Sequence, residues 1–425
     1  MTDAQAARIV VLDDDPTGTQ TVADLPVVLT PDTATLSAVA AAWSGPVWVL
    51  TNTRAMPLAA ALSHLAATVA SARAVFGPTA RFVLRGDSTL RGHVLGEIDT
   101  LSTATSVALF VPAFIEQGRV TIHGVHYVTV GDDLVEVSAT EYARDPEFGY
   151  RSSDLVEWVA EREAGRTALQ MPLEVLRAEG PSALADLLVR APPHAVVVPD
   201  AESAADLRII HAAWIEAQRR GRAVVLRSAS SLASIVTGTP GKPIVLSPVA
   251  GPVLVVCGSY TSGAAAQLAA LDGLAGVAAH EIDLSQALAA SPDAASYRHS
   301  LATRVAASLQ AGPVAVLSTP RTTSTLNLSF AAGEKIMDVV VGTVRQLQGQ
   351  FAAIITKGGI TSARIARDAL GMRVAYVRGQ VAAGIPVWAE GFPPTGAIDQ
   401  VVVPGNVGPP DAIREIVGQL VPGLT

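Results

Sequence analysis

Only one cysteine, Cys257, occurs in 425 residues. That excludes an intramolecular disulfide and a cysteine-based zinc cluster. Its place in the apolar run LVVCGS reads as a buried structural thiol rather than a nucleophile. Aromatic residues make up only 4%, so alanine supplies much of the apolar content and helices are expected to pack closely on sheets. No uninterrupted apolar run approaches the roughly 20 residues a spanning helix needs, so no membrane partner is expected although mean hydropathy is positive. The opening MTDAQAARIVVL carries an acid and no basic-then-apolar signal region, which points to a cytoplasmic protein. No basic block offsets the net charge of −8, and this argues against nucleic acid as the main partner.

What is present is length and hydrophobicity. A chain of 425 residues with 49% hydrophobic content exceeds the size at which one core stops growing, so two domains are expected. The chain is organised around RIVVLDDDPTGTQ, Arg8 to Gln20. An apolar run that ends in Asp13, Asp14 and Asp15 and then in Pro16, Thr17, Gly18 and Thr19 reads as a buried strand feeding a tight loop. Ligands of open α/β sheets bind at such carboxyl ends. Three adjacent like charges cost stability unless a cation, a metal or a proton-donating substrate relieves them. The alternative is an exposed acidic turn in which Asp15 or Thr17 caps a helix.

Strand and helix then alternate. Leu25 to Thr30, Val47 to Thr51, Arg81 to Arg85 and Val107 to Val111 read as strands, and Ala59 to Val75 as an alanine-rich helix. Val47 to Thr51 opens onto Asn52, Thr53 and Arg54; Arg81 to Arg85 opens onto Gly86-Asp87-Ser88-Thr89-Leu90-Arg91-Gly92-His93 ahead of a helix from Val94. The stretch HGVHYVTVGDDLVEV reads as a β-hairpin. This hairpin, within Gly118 to Val137, carries Arg119, His123 and His126, and its histidines are expected to be packed structural residues. Ser152 or Ser153 is expected to cap the next helix.

Between Gly238 and Pro252 the segment GTPGKPIVLSPVAGP is rich in glycine and proline, as a linker is. Beyond it, three strands run into small-residue turns and then helices: Cys257-Gly258-Ser259-Tyr260-Thr261-Ser262-Gly263, Lys357-Gly358-Gly359-Ile360-Thr361-Ser362, and Pro404-Gly405-Asn406-Val407-Gly408. Such turns let backbone amides approach phosphate oxygens. None is a Walker A loop, a Rossmann fingerprint or a protein-kinase loop.

Together, DDDPTGTQ, RGDSTLRGH, GSYTSG, KGGITSARIA and PGNVG resemble the motifs of the four-carbon acid sugar kinases, once catalogued as a domain of unknown function, from about Ile9 to Val417. The resemblance implies two α/β domains, each a mainly parallel sheet flanked by helices, with the active site in the cleft between them. Residues 1–237 would bind a sugar acid, 238–252 would link, and 253–425 would bind ATP. Threonate, erythronate or a 3-oxo-tetronate would be the phosphoryl acceptor, with Mg2+ accompanying ATP and its protein ligands undetermined. By motif, Asp14, Asp15, Thr17, Gly18 and the Asp87 to Gly92 loop fall on the substrate side. Ser259, the Gly358, Gly359, Ile360 and Thr361 turn, and Gly405 with Asn406 fall on the nucleotide side. Ile360 stands where relatives often carry Asp, which moves base chemistry toward the N-terminal aspartates, and Asp13 stands where relatives often carry Ala.

The residues agree with that division. A sugar acid needs cations for its carboxylate, and Arg54, Arg85, Arg91 and Arg119 lie at or near loops expected on one face; Arg85, at a strand end, reads more readily as a structural ion pair. Asp14, Asp87, Ser88 and Thr89 can meet hydroxyls. Asp15, deeper in the turn, is expected to be the base, and Asp14 to hold substrate hydroxyls. The rival readings are a non-catalytic sugar-acid-binding protein and a metal-assisted aldolase or hydrolase built on Asp13 to Asp15. Neither needs a phosphate cradle. Assembly into a homo-oligomer is left open.

Overall fold

A strand covered on both faces by crossover helices must be apolar along its length. Runs of that kind build two units in the computed structural model, which describes residues 7–259, 261–290, 292–321, 330–392, 399–405 and 407–424. The first unit is Met1–Thr21 with Pro31–Pro240, and the second is Val22–Thr30 with Gly241–Thr425.

In chain order, β1 (Ile9–Asp13) and β2 (Leu25–Val28) are followed by β3 (Val47–Leu50), β4 (Arg81–Arg85) and β5 (Val107–Val111). Then come β6 (Arg119–Ile122), β7 (Val125–Val130), β8 (Asp133–Glu136), β9 (Ala168–Met171), β10 (Val196–Pro199) and β11 (Val224–Ser228). The first unit's sheet runs β3-β1-β4-β11-β5-β10-β9 and is parallel throughout. β1 lies between β3 and β4, so successive connections leave it on opposite sides. That is the topological switch point at which open sheets leave a crevice. β6, β7 and β8 form a separate antiparallel sheet that contains the expected hairpin.

The helix Leu58–Phe76 ends at Gly77, whose φ of 87° suits glycine. By length and composition it is the one described helix that could cross a membrane; its Ala61, Leu65, Val69 and Ala72 are buried in the first unit. The helix Leu155–Arg162 is capped by Asp154, which accepts from the N–H groups of Val156 and Glu157, and not by Ser152 or Ser153. Ser153 instead donates to the Ser138 hydroxyl. One oxygen of the Asp154 carboxylate accepts both N–H groups and so satisfies two of the orphan donors at the helix start.

The second unit holds β12 (Val253–Cys257), β13 (Val277–Glu281), β14 (Val314–Ser318), β15 (Ala353–Lys357), β16 (Val374–Ala382), β17 (Ile385–Glu390) and β18 (Asp399–Val403). Its sheet runs β13-β14-β12-β15-β18 in parallel and continues antiparallel through β17 and β16 to β2. β2 thus belongs to this unit, with Val28 opposite Val374 and Leu25 opposite Val377. Within the glycine- and proline-rich segment, Ile244 donates to the Gln380 carbonyl at 2.9 Å and Leu246 is buried in the core formed by Val255, Ile355, Val387 and Val401. Each such fully buried aliphatic side chain contributes about 1.5–3 kcal/mol relative to exposure.

Candidate active site

Three consecutive carboxylates at the end of β1 reach three different arginines. Asp13 takes Arg85 at 2.9 Å and the indole N–H of Trp48 at 2.5 Å. Asp14 takes Arg227 at 2.9 Å, and Asp15 is paired with Arg54. Alternation along the strand end sends successive side chains apart, so the acids fan out instead of converging. Among the described residues no group of three acids, histidines or cysteines is arranged to hold a metal ion. Asp13 also packs on Gly18, where a Cβ would fall 1.8 Å from Oδ2; the glycine makes room for the carboxylate.

The electrostatic state of the acids differs accordingly. Burial lifts Asp13 to about 6 against the opposing pull of Arg85, and Asp14 adds to the rise. Burial also pushes on Asp15, but Arg54 and Arg85 outweigh it, with Thr17 donating its N–H and hydroxyl, and the carboxyl lies below the usual range. Both Asp15 oxygens are therefore engaged. Asp14 has one engaged oxygen; its Oδ1 is buried without a hydrogen-bond partner. An orphaned buried acceptor is costly and points to a ligand or water at that atom.

The second loop, Gly86 to His93, is held from outside. His126 Nε2 lies 2.8 Å from the Ser88 carbonyl, the Tyr150 hydroxyl donates to the Thr89 carbonyl at 2.8 Å, and Arg119 donates to the Ser88 hydroxyl at 2.5 Å. Asp87 accepts from Thr89 Oγ1 at 2.5 Å, from Arg91 at 2.7 Å and lies 3.5 Å from Arg54. Burial would raise Asp87, but Arg91, Arg54 and Arg119 hold it far below the usual range. Gly92, at φ 116°, brings the chain so close that a Cβ would lie 3.0 Å from Asp14 Oδ2. The acid loop, the Asn52–Arg54 turn and the Gly86–His93 loop thus meet at the carboxyl ends of β1, β3 and β4. Arg85 is fully engaged by Asp13 and the Ser230 hydroxyl, the structural pair expected of a strand-end arginine.

In the second unit the three glycine turns also converge, at the carboxyl ends of the adjacent strands β12, β15 and β18. The Thr261 hydroxyl donates to the Gly405 carbonyl at 3.0 Å and lies 3.2 Å from the Ser259 hydroxyl. A Cβ on Gly258 would fall 2.4 Å from Thr361 Oγ1, and Gly358, at φ 105°, faces Thr361 and Ser259. Gly405 would place a Cβ in ordinary contact with Ser259 Oγ at 3.5 Å, so the protein itself leaves room there. Ile360 is exposed. Asn406 and Tyr260 lie outside the described residues. Backbone, hydroxyls and open space at the ends of parallel strands make a cradle of the kind that takes phosphate oxygens.

The chain matches, over residues 9–236, the family model described as a sugar-binding N-terminal domain, and over residues 254–413 the one described as a nucleotide-binding C-terminal domain. It belongs to the four-carbon acid sugar kinase family. A protein of Salmonella typhimurium LT2 provisionally named as a tRNA synthase shares the fold with a TM-score of 0.70 and 19% identity, over 97% of this chain and 98% of the other. A Haemophilus influenzae protein of the same family, DUF1537, does so at 0.63 and 18%, over 96% and 99%. No curated protein matches the chain.

Several residues that shape this family member's site were missed in the sequence. Arg227, buried in β11, bridges Asp14 and Glu97, and a Cβ on Gly86 would strike it at 1.9 Å. Glu97 also accepts from Thr53, and burial pushes its carboxyl up. An arginine inside the apolar run VVLRS was the available signal. Lys357 donates to the carbonyls of Pro404 at 2.7 Å and Val407 at 3.2 Å, which ties the second turn to the third; burial lowers it to about 8. Cys257 is buried as expected.

Proposed function

We propose that the protein is an ATP-dependent kinase that phosphorylates a hydroxyl of a four-carbon sugar acid such as threonate, erythronate or a 3-oxo-tetronate. The observation that carries this reading is the meeting of all three glycine turns at the ends of β12, β15 and β18, a feature that neither a binding protein nor an aldolase needs. In this reading Ser259, Gly358, Gly359, Ile360, Thr361, Gly405 and Asn406 line the ATP site. Asp14, Thr17, Gly18, Arg54, Asp87, Ser88, Thr89 and Arg91 line the sugar-acid site. The room left at Gly405 fits a phosphate. Magnesium would be held chiefly by phosphate oxygens and water, because the three β1 aspartates are each committed to an arginine. The cytoplasm is the compartment that supplies such a substrate pair.

Phosphoryl transfer asks for positioning and charge neutralisation more than covalent chemistry. A general base adds to that by taking the proton of the attacking hydroxyl, and it needs a free lone pair. Asp15, favoured by its depth in the turn, has both oxygens occupied and is held in its ionised, weakly basic form. Asp14 retains a free oxygen, so we assign proton acceptance to Asp14 and the anchoring of Arg54 and Thr17 to Asp15. The test is ADP release, followed across a panel of four-carbon acids with ATP and Mg2+. A phosphate ester formed in step with ADP supports the reading, and ADP at background level with every acid sinks it.

A further inference from the structure

Besides Arg227, which pairs with Asp14, four arginines gather around the two loops of the first unit, and three of them are neutralised. Arg85 meets Asp13, Arg54 meets Asp15 and Asp87, and Arg91 meets Asp87 and Asp145. Arg119, at the start of β6, differs. Among the described residues it makes no ion pair within 4 Å, its guanidinium donates to the neutral Ser88 hydroxyl, and its buried Nε has no partner. It is only 9% exposed. Its guanidinium faces the rings of Phe114 and Tyr142, at 5.9 and 5.8 Å, and the opposite claim on Tyr142 is made by Arg91 at 5.0 Å.

A buried cation with no ion pair of its own is expensive to keep, and Asp87, already paired with Arg91 and Arg54, acts on Arg119 only from beyond ion-pair distance. Two ring faces and a hydroxyl offset part of that cost, but they leave the planar fork of donors open to a carboxylate. The contrast appears in the titration behaviour too. Burial weighs on all four, yet acidic partners carry Arg54, Arg85 and Arg91 above the usual arginine value, whereas Arg119 lies below it.

We propose that Arg119 receives the carboxylate of the substrate, and that this contact selects acids over neutral sugars of the same length. The proposal rests on the sugar-acid reading for the identity of the ligand, and on the geometry of Arg119 for its place. Tyr142 and Phe114 flank the guanidinium and the Ser88 hydroxyl accepts from one of its nitrogens, so that an incoming carboxylate supplies the missing charge.

Titration calorimetry on the full-length protein tests it, with threonate and erythronate as acids and threitol as the neutral control. Arg119→Gln, checked for folding by circular dichroism, is expected to lose acid affinity on the order of 10²-fold, as truncation of a buried charge pair does, with threitol binding unchanged. Arg119→Lys keeps the charge but not the fork and is expected to fall between the two. A folded Arg119→Gln protein that binds threonate as tightly as the wild type overturns the proposal. So does an unchanged affinity in Arg119→Lys, the variant to read if the glutamine protein fails to fold, and so does a wild type that binds neither acid. The kinase reading fails separately: acid binding that depends on Arg119 but releases no ADP leaves Arg119 in place and removes the phosphoryl transfer.

Discussion

Around Asp13–Asp15 the polar contacts centre on pairs of charged side chains, nearly all of them buried, each acid with its own arginine. Around the glycine turns of the second unit, hydroxyls and one ammonium bind backbone carbonyls, and the described contacts include no acid–arginine pair between the turns. On the proposed function, the first arrangement would identify a ligand by its charges and hydroxyls, so exchanging a single side chain would change what is recognised. In the second, recognition would fall to the backbone, so side-chain identity would matter little and an added Cβ a great deal. A sugar acid and a nucleotide phosphate pose those two problems: the acid must be told from its neutral analogues, whereas every nucleoside triphosphate carries the same phosphates.

If that contrast is right, substitutions in the two regions should fail in different ways. The largest effect is expected from Asp14→Asn, which keeps the shape but not the lone-pair basicity. Its kcat should fall on the order of 10²- to 10⁴-fold with KM for ATP little changed, by steady-state kinetics; Asp15→Asn should chiefly raise KM for the acid, by loosening Arg54. An Asp14→Asn enzyme with near-normal kcat would return the base to Asp15. Next, Arg227→Met leaves Asp14 and Glu97 buried without their shared cation. Equilibrium denaturation should show a loss of about 3–5 kcal/mol, and a loss near zero would mean that the acids relax or protonate freely. On the backbone side, Gly405→Ala adds a methyl that the protein accommodates, so stability should hold while ATP affinity drops about 10-fold or more by close-approach blockage. Gly358→Val at φ 105° should combine that loss with strain.

The smallest effect concerns pH. The folded-state value of Asp13, about 6, lies above its ordinary 3.8, so between those values the folded protein binds more protons than the unfolded chain. Stability from this group is therefore complete below about pH 4 and is lost as pH rises through 6. Asp15 and Asp87 act with the opposite sign: their depressed values stabilise the fold above the ordinary carboxylate range, and that contribution is lost on acidification. Denaturation midpoints of wild type and Asp13→Asn across pH 4 to 7 should converge at low pH and differ in slope above it. Parallel curves would show that Asp13 titrates normally.

Much of this was legible in the sequence because it is local. Apolar runs, glycine turns and the hairpin signal reside in a few consecutive residues, and the parallel sheets follow from their alternation. The three glycine turns are legible one by one, and the pairing of β15 with both β12 and β18 brings them together. What could not be read was pairing at a distance. Which arginine neutralises which aspartate depends on strand order: Arg227 lies 213 residues from Asp14, and only the placement of β11 beside β4 brings them together. For the same reason the sequence favours Asp15 as base and our proposal favours Asp14: depth in a turn is visible in sequence, but the occupation of the Asp15 oxygens by Arg54 and Thr17 is not. The assignment of Leu25–Val28 to the second unit's sheet edge had no local signal either, because a strand's partner is not written in the strand.

On the proposed function, the first unit recognises the acid through side-chain charge and the second recognises ATP through its backbone. Calorimetric titration of Asp87→Asn and Gly405→Ala, each with ATP and with the sugar acid that gives ADP release in the wild type, tests it directly. Asp87→Asn should lose acid binding and keep ATP binding, and Gly405→Ala should do the reverse. Loss of ATP binding in Asp87→Asn with full ATP binding in Gly405→Ala would contradict the account.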